Sequence, residues 1–272
     1  MVRRTRPRDV IARLAAEGVE FFTLDDLRTR LSLTPAQAYG LAHRLAGARL
    51  VRRVKRGLYA IVAPVDWQEG PVLGINWHWA AANAVRGEPY YLAYYTAMEL
   101  HGMLQHPLRT VFVAVTRHHR DVMFGAARIR FVKLAADRLF GEEDRRVDGH
   151  LVKVAQLERT FIDCVDRPDL CGGIEEVFRG FVRRHEDLDA DRLLRFLHRL
   201  DKPVVAKRLG YLLELAGHGD PELMWEIERA ARRLKRYTPL DKTRPATDGA
   251  RDRRWELVVN VDPRRLRQTA RT

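Results

Sequence analysis

Cations and hydrogen-bond donors, rather than a nucleophile or a set of metal ligands, are the residues of this chain whose types and spacing point to chemistry. Arg49, Arg52, Arg53, Lys55 and Arg56 fall within eight residues with no acid among them. A projecting hairpin of that composition suits phosphate contact or minor-groove insertion. Just before it, a helix with its apolar stripe near Ala38 and Leu45 turns Ala36, Gly40 and His43 to the opposite side, flanked by Gln37, Tyr39 and Arg44. Gln, His and Arg donate to base edges in a major groove, and small Ala36 and Gly40 permit close approach. Arg3, Arg4 and Arg6 add a basic arm. The competing reading is a solvated helix face and a protein-binding adaptor. Charge weighs against it: residues 1–66 hold thirteen Lys/Arg against six Asp/Glu, a net of +7 out of +13 for 272 residues. A second zone, 229–254, holds ten Lys/Arg against three Asp and reads first as solvated surface.

Several enzyme classes drop out. Ser32 is the chain's single serine, and there is no Gly-x-Ser-x-Gly elbow. No phosphate loop, Gly-x-Gly-x-x-Gly turn, His-Glu-x-x-His pair or Glu-x-Lys is found. Cys164 and Cys171 alone supply neither a disulfide framework nor a four-ligand zinc site. His118-His119 reads as a polar loop after a strand, and Glu99 and His101 as packing and local hydrogen bonds. Tyr90, Tyr91, Tyr94 and Tyr95 read as core rather than base-stacking platforms. Asp163 and Asp166, and Glu175 and Glu176, read as structural rather than magnesium-binding. No cofactor, metal or catalytic residue is expected.

The elements that position the cations are legible. Val10, Ile11 and Leu14 define a first helix stopped at Gly18. Thr23 caps a second, with Asp25 and Asp26 in its first turn. Thr34-Pro35-Ala36-Gln37 opens a third, closed by Gly47. Strand-forming residues from Arg49 to Val62, turning at Arg56-Gly57, make a hairpin. That order is the order of a winged helix-turn-helix, expected over residues 1–63.

A linker is expected at Pro64–Gly74, then helices at 76–85 and 90–103 and strands at 108–116, 128–134 and 151–154. Helical spacing returns at 157–165, 174–182, 193–200 and 205–216. A loop from Tyr237 to Asp252 leads to a last strand, 255–261, and a frayed basic tail after Pro263. The composition is that of a globular chain, and the elements together make an α+β fold the expectation. Its longest uncharged run, Gly70–Val85, is too short and polar to span a bilayer, and no signal-peptide core follows the N-terminal arginines. A cytoplasmic protein facing nucleic acid is the expectation.

The segment Tyr90-Tyr91-Leu92-Ala93-Tyr94-Tyr95-Thr96-Ala97-Met98-Glu99-Leu100-His101-Gly102 and the block Val154–Pro168, continuing through Gly172-Gly173-Ile174-Glu175-Glu176-Val177, resemble the AbiEi family of antitoxins. Ala206–Glu214 and Trp255–Asn260 fit the same pattern, in the same order. The resemblance implies a winged helix over 1–63 and a mixed α/β antitoxin domain over 64–272. It further implies a non-enzymatic autorepressor that binds inverted repeats in its own promoter. Its functional partner would be a co-encoded AbiEii-type nucleotidyltransferase toxin, in a type IV system linked to phage defence. The chain would act as a monomer or pair on DNA. The alternatives are a nucleic-acid-processing enzyme with a winged-helix targeting module and a protein-only winged-helix adaptor.

Overall fold

A computed structural model describes residues 6–62, 76–105, 109–124, 127–218 and 220–269. Arg3 and Arg4 of the expected arm, the expected linker with the boundary near residue 63, and Arg271 lie outside the described residues. The protein is a mixed α/β chain that forms two compact units.

The first unit begins with α1 (Pro7–Ala16), β1 (Phe21–Thr23), α2 (Leu24–Leu31), α3 (Pro35–Gly47), β2 (Val51–Lys55) and β3 (Leu58–Ile61). Two capping boxes start the middle helices. The Thr23 side chain accepts from the Asp26 amide while Asp26 accepts from the Thr23 amide, and Thr34 and Gln37 do the same. The strands form an antiparallel sheet in the order β1-β3-β2. Between sheet and helices lie Leu14, Phe22, Leu27, Leu41, Ala42 and Leu45. Each buried leucine contributes about 2–3 kcal/mol of hydrophobic stabilisation relative to an exposed one. Helix α1 ends as predicted, with Gly18 left-handed at φ +70°. Helix α3 ends with Gly47 as expected, but the left-handed position falls on Arg49, at φ +56°. The Leu50 amide then bonds back to the Leu45 carbonyl at 3.0 Å, and buried Leu50 anchors the reversal.

The same unit contains α4 (Trp77–Ala84), β5 (Thr110–Val115), β6 (Val122–Phe124) and β7 (Ala127–Lys133), taking β4 as the strand Tyr90–Leu92. Strands β5 and β7 pair in parallel, and β6 pairs antiparallel with β7. Two further strands, β8 (Glu142–Val147) and β9 (His150–Ala155), form a hairpin turning at Asp148-Gly149, both at positive φ.

The second unit is largely helical. It contains α5 (Tyr94–Leu100), α6 (Leu157–Asp166), α7 (Ile174–Arg184), α8 (Ala190–Leu200), α9 (Pro203–Leu215) and α10 (Pro221–Ala231). Helix α6 lies at the centre, against α5, α7, α8 and α9. Its residues from Glu158 to Val165 are all buried, and Phe161 stacks on Phe181 at 3.9 Å between ring centroids. A small sheet of β10 (Thr238–Pro239), β11 (Ala250–Asp252) and β12 (Leu257–Val259), ordered β10-β12-β11, and a last helix α11 (Pro263–Thr269) complete it.

Three expectations need correction, and one helix was not anticipated. The helix expected from Tyr90 begins only at Tyr94, because Ala93 is extended and Tyr94 itself has φ +53°; Tyr90–Leu92 is a strand whose Leu92 pairs with Val154. The loop expected over Tyr237–Asp252 contains β10 and β11. Helix α10, for which no expectation was formed, has Asp220 as cap and Pro221 at its first position. Residues 263–269, expected to be frayed, form α11, which packs against α7 with Leu266 fully buried.

Candidate nucleic-acid interface

Helix α3 buries Ala38, Leu41, Ala42 and Leu45 and exposes Ala36, Gln37, Tyr39, His43 and Arg44. Gly40 is half-buried, with the Arg44 guanidinium beside it. The large exposed aromatic of this face is Tyr39, 62% exposed. Gln37 is less available than its exposure suggests. Its Oε1 accepts from the Thr34 amide at 2.9 Å, leaving only its NH₂ group to donate outward.

The hairpin explains why Arg52 and Arg53 are both exposed although they are adjacent. Strict alternation would turn one of them inward. The register instead slips between Arg53 and Lys55, so that Arg53 faces Tyr59 and Lys55 faces Leu58. This bulge sends Val51 and Val54 into the core and both arginines to solvent on an edge strand. Arg56 is exposed at the turn, where Gly57 supplies φ +82°. Arg49 is exposed at the exit of α3, and Arg6, exposed, precedes α1.

Lys55 departs from the expected outward set. Its ammonium donates to the Ala84 carbonyl at the last turn of α4, and desolvation lowers its pKa, partly offset by Glu88. Four acids of this region pair with other residues. Glu17 pairs with Arg13 and Arg30, Asp25 with Arg28, Asp26 with Arg86 and Glu20 with His150. None of those partners belongs to the predicted contact set.

Residues 91–215 match the family model of the AbiEi antitoxin C-terminal domain. This segment is an AbiEi antitoxin domain. The match supports an antitoxin role for this segment. The crystal structure of the RV2827C protein from Mycobacterium tuberculosis has a similar fold, with a TM-score of 0.66 at 17% identity, covering 97% of this chain and 94% of that one. No curated protein matches the chain.

Within the AbiEi domain, the charged residues of α6 form a buried network. Arg159 pairs with Asp163 through Nε at 3.0 Å and Nη2 at 2.8 Å, and the Tyr91 hydroxyl donates to the same carboxylate at 3.2 Å. The Arg159 guanidinium also lies 4.3 Å from the centroid of Phe140. Burial and the Asp163 charge both push the Tyr91 hydroxyl pKa well up, which keeps it a donor. Glu158, also buried, accepts from the Asp189 amide at 3.0 Å and so holds the start of α8. On α9, Lys207 donates to the Arg236 carbonyl and to Glu256, and Arg208 to the carbonyls of Val165 and Pro239. Each is a strut between elements.

The other candidate residues are placed in the same way. His101 is buried, with Nε2 on the Ala155 carbonyl at 2.7 Å. His119 pairs with Glu88 at 3.0 Å and lies against Phe131. Tyr91 and Tyr94 are core. Asp166 pairs with Lys202. Among the described residues no group of three His, Cys, Asp or Glu is arranged to hold a metal. Nor is any described helix long and apolar enough to cross a membrane.

The zone 229–254 loses much of its apparent charge to ion pairs. Arg229, Arg232, Arg233, Lys242, Arg244 and Arg254 all pair with carboxylates.

Proposed function

We propose that the N-terminal elements form a winged helix-turn-helix that binds duplex promoter DNA. The chain would then be the autorepressing antitoxin of a type IV pair, with an AbiEii-type nucleotidyltransferase toxin as its functional partner. The observation that carries this reading is the joint exposure of the α3 face and of Arg52, Arg53 and Arg56 on the β2–β3 hairpin. Helix α3 enters the major groove, with His43 and Arg44 reading base edges and Tyr39 packing beside them. Arg49, Arg52, Arg53 and Arg56 grip phosphates, and Arg6 with Arg3 and Arg4 extends the grip. Repression follows from occupancy, without a catalytic residue. The AbiEi domain supports the antitoxin half of the reading.

Anisotropy titrations of full-length protein on its own upstream DNA test this at several salt concentrations. Four hairpin phosphate contacts give a log–log salt slope of roughly −3.6. Replacing Arg52, Arg53 and Arg56 with alanine flattens it by roughly 2.7. His43→Ala and Arg44→Ala, by contrast, reduce the preference for the upstream sequence over random duplex. Unaltered affinity and slope in the triple variant refute the hairpin's role.

A further inference from the structure

The chain's two cysteines have been brought together. Cys164 sits on the last turn of α6, and Cys171 follows a short 3-10 turn, Pro168–Leu170. Both are free and fully buried, and the Cys171 thiol donates to the Cys164 sulfur at a separation of 3.3 Å. A disulfide bond is about 2.05 Å long. The sulfurs are therefore roughly 1.3 Å from bonding distance, a gap that rotation of side chains with a single torsion each can close. The backbone around them is tightly held. The amides of Cys171 and Gly173 both bond to the Pro168 carbonyl, at 3.0 and 2.9 Å. Gly172 and Gly173 follow at φ +77° and +94°, and a Cβ on Gly172 would meet the Tyr95 hydroxyl at 3.1 Å.

We propose that Cys164 and Cys171 form a reversible intramolecular disulfide under peroxide, locking the α6–α7 corner of the AbiEi domain. One thiolate attacks the peroxide O–O bond, giving a sulfenic acid and hydroxide. The second sulfur then displaces the sulfenic oxygen. The two protons and the released oxygens leave as two waters, and each sulfur is oxidised by one electron. A dithiol reductant reverses the step by exchange. Because burial pushes the Cys171 thiol up in pKa and shields both sulfurs, oxidation waits on local opening and is slow. The pair is a lock rather than a catalytic thiol. This inference is independent of DNA binding, since it requires no nucleic acid.

The test uses full-length protein treated with hydrogen peroxide, denatured, alkylated and digested with trypsin. Trypsin leaves the Arg167–Pro168 bond uncut, so both cysteines and no methionine fall in one peptide, Thr160–Arg179. The expected result is that peptide unalkylated and lighter by two hydrogens, with both alkylation sites restored by prior dithiothreitol. The oxidised protein melts higher by roughly 5 °C, since the closed loop is short. Cys171→Ser abolishes the peroxide-dependent rise. Recovery of the peptide with both thiols alkylated, with sulfinic acid, or only as a covalent dimer of chains would overturn the proposal. An oxidised peptide without any change in melting would overturn the locking role.

Discussion

Gly210→Ala opposes two magnitudes of known sign at one position. Gly210 lies inside α9, where alanine is favoured over glycine by about 1 kcal/mol on helix propensity. A Cβ built there would fall within 2.7 Å of Cζ2, Cζ3 and Cη2 of Trp255. That ring cannot yield cheaply. Trp255 is fully buried, its indole N–H donates to Glu214 at 2.5 Å, and its amide donates to Asp252 at 2.8 Å. Overpacking of a held core group costs about 1–3 kcal/mol, and three overlapping ring atoms put this site at the upper end. The net expectation is a loss of about 2 kcal/mol, read as a lower urea midpoint by far-UV circular dichroism. The pair Gly210→Ala and Trp255→Phe should be less costly than the sum of the single changes, because the smaller ring vacates the contested space. A Gly210→Ala protein as stable as the unaltered chain would refute the reasoning and show that α9 slides or the indole swings freely.

Two other perturbations address the buried groups of the AbiEi domain. Asp163→Ala strands the Arg159 guanidinium in the core and should cost about 3–5 kcal/mol, whereas Arg159→Met with Asp163→Leu should recover much of that loss; equal midpoints for the single and double variants would contradict it. Burial holds the His101 imidazole pKa below 6.5, outweighing its bond to the Ala155 carbonyl, while nearby Arg145 lowers it further. The unfolded chain therefore takes up a proton near pH 6.5 that the folded chain refuses until lower pH. His101 thus contributes stability that is complete above about pH 6.5 and is lost as pH falls through its folded pKa. Melting curves between pH 7.5 and 5.5 should show a slope that His101→Gln flattens, and an unchanged slope would remove His101 as its source.

Legibility followed the kind of signal each element carries. Helices α2 and α3 announce themselves through Thr23-x-x-Asp26 and Thr34-x-x-Gln37, because caps act within four residues and need no tertiary knowledge. The same logic was available for α10 in Asp220-Pro221, ahead of the stripe of Leu223, Met224 and Ile227. Strand β8 was harder: Glu142-Glu143-Asp144-Arg145-Arg146 alternates only between half-buried and exposed, so no apolar period marks it. The strand at Tyr90–Leu92 has aromatics common to both element types, and only the left-handed Tyr94 separates strand from helix. At the candidate interface, exposure of Arg52 and Arg53 was readable from charge, but the bulge that permits both was not. Neither was the withdrawal of Lys55, since its acceptor lies twenty-nine positions away. The Arg159–Asp163 pair had a signal in its i,i+4 spacing. What the spacing could not convey is that α6 is buried all round, which turns a routine surface pair into a core strut.

The contact from Lys55 to the Ala84 carbonyl bears on how quickly and how tightly the basic ribbon could close on a partner. A ribbon pinned beside its turn to another helix has fewer conformations to surrender on association than one that swings freely. Immobilising a long side chain costs about 0.5–1.5 kcal/mol, and here that loss is already incurred during folding. Residence time, rather than encounter rate, is where such preorganisation registers. Cutting the tether would leave the outward arginines in place and still shorten the life of any complex they make.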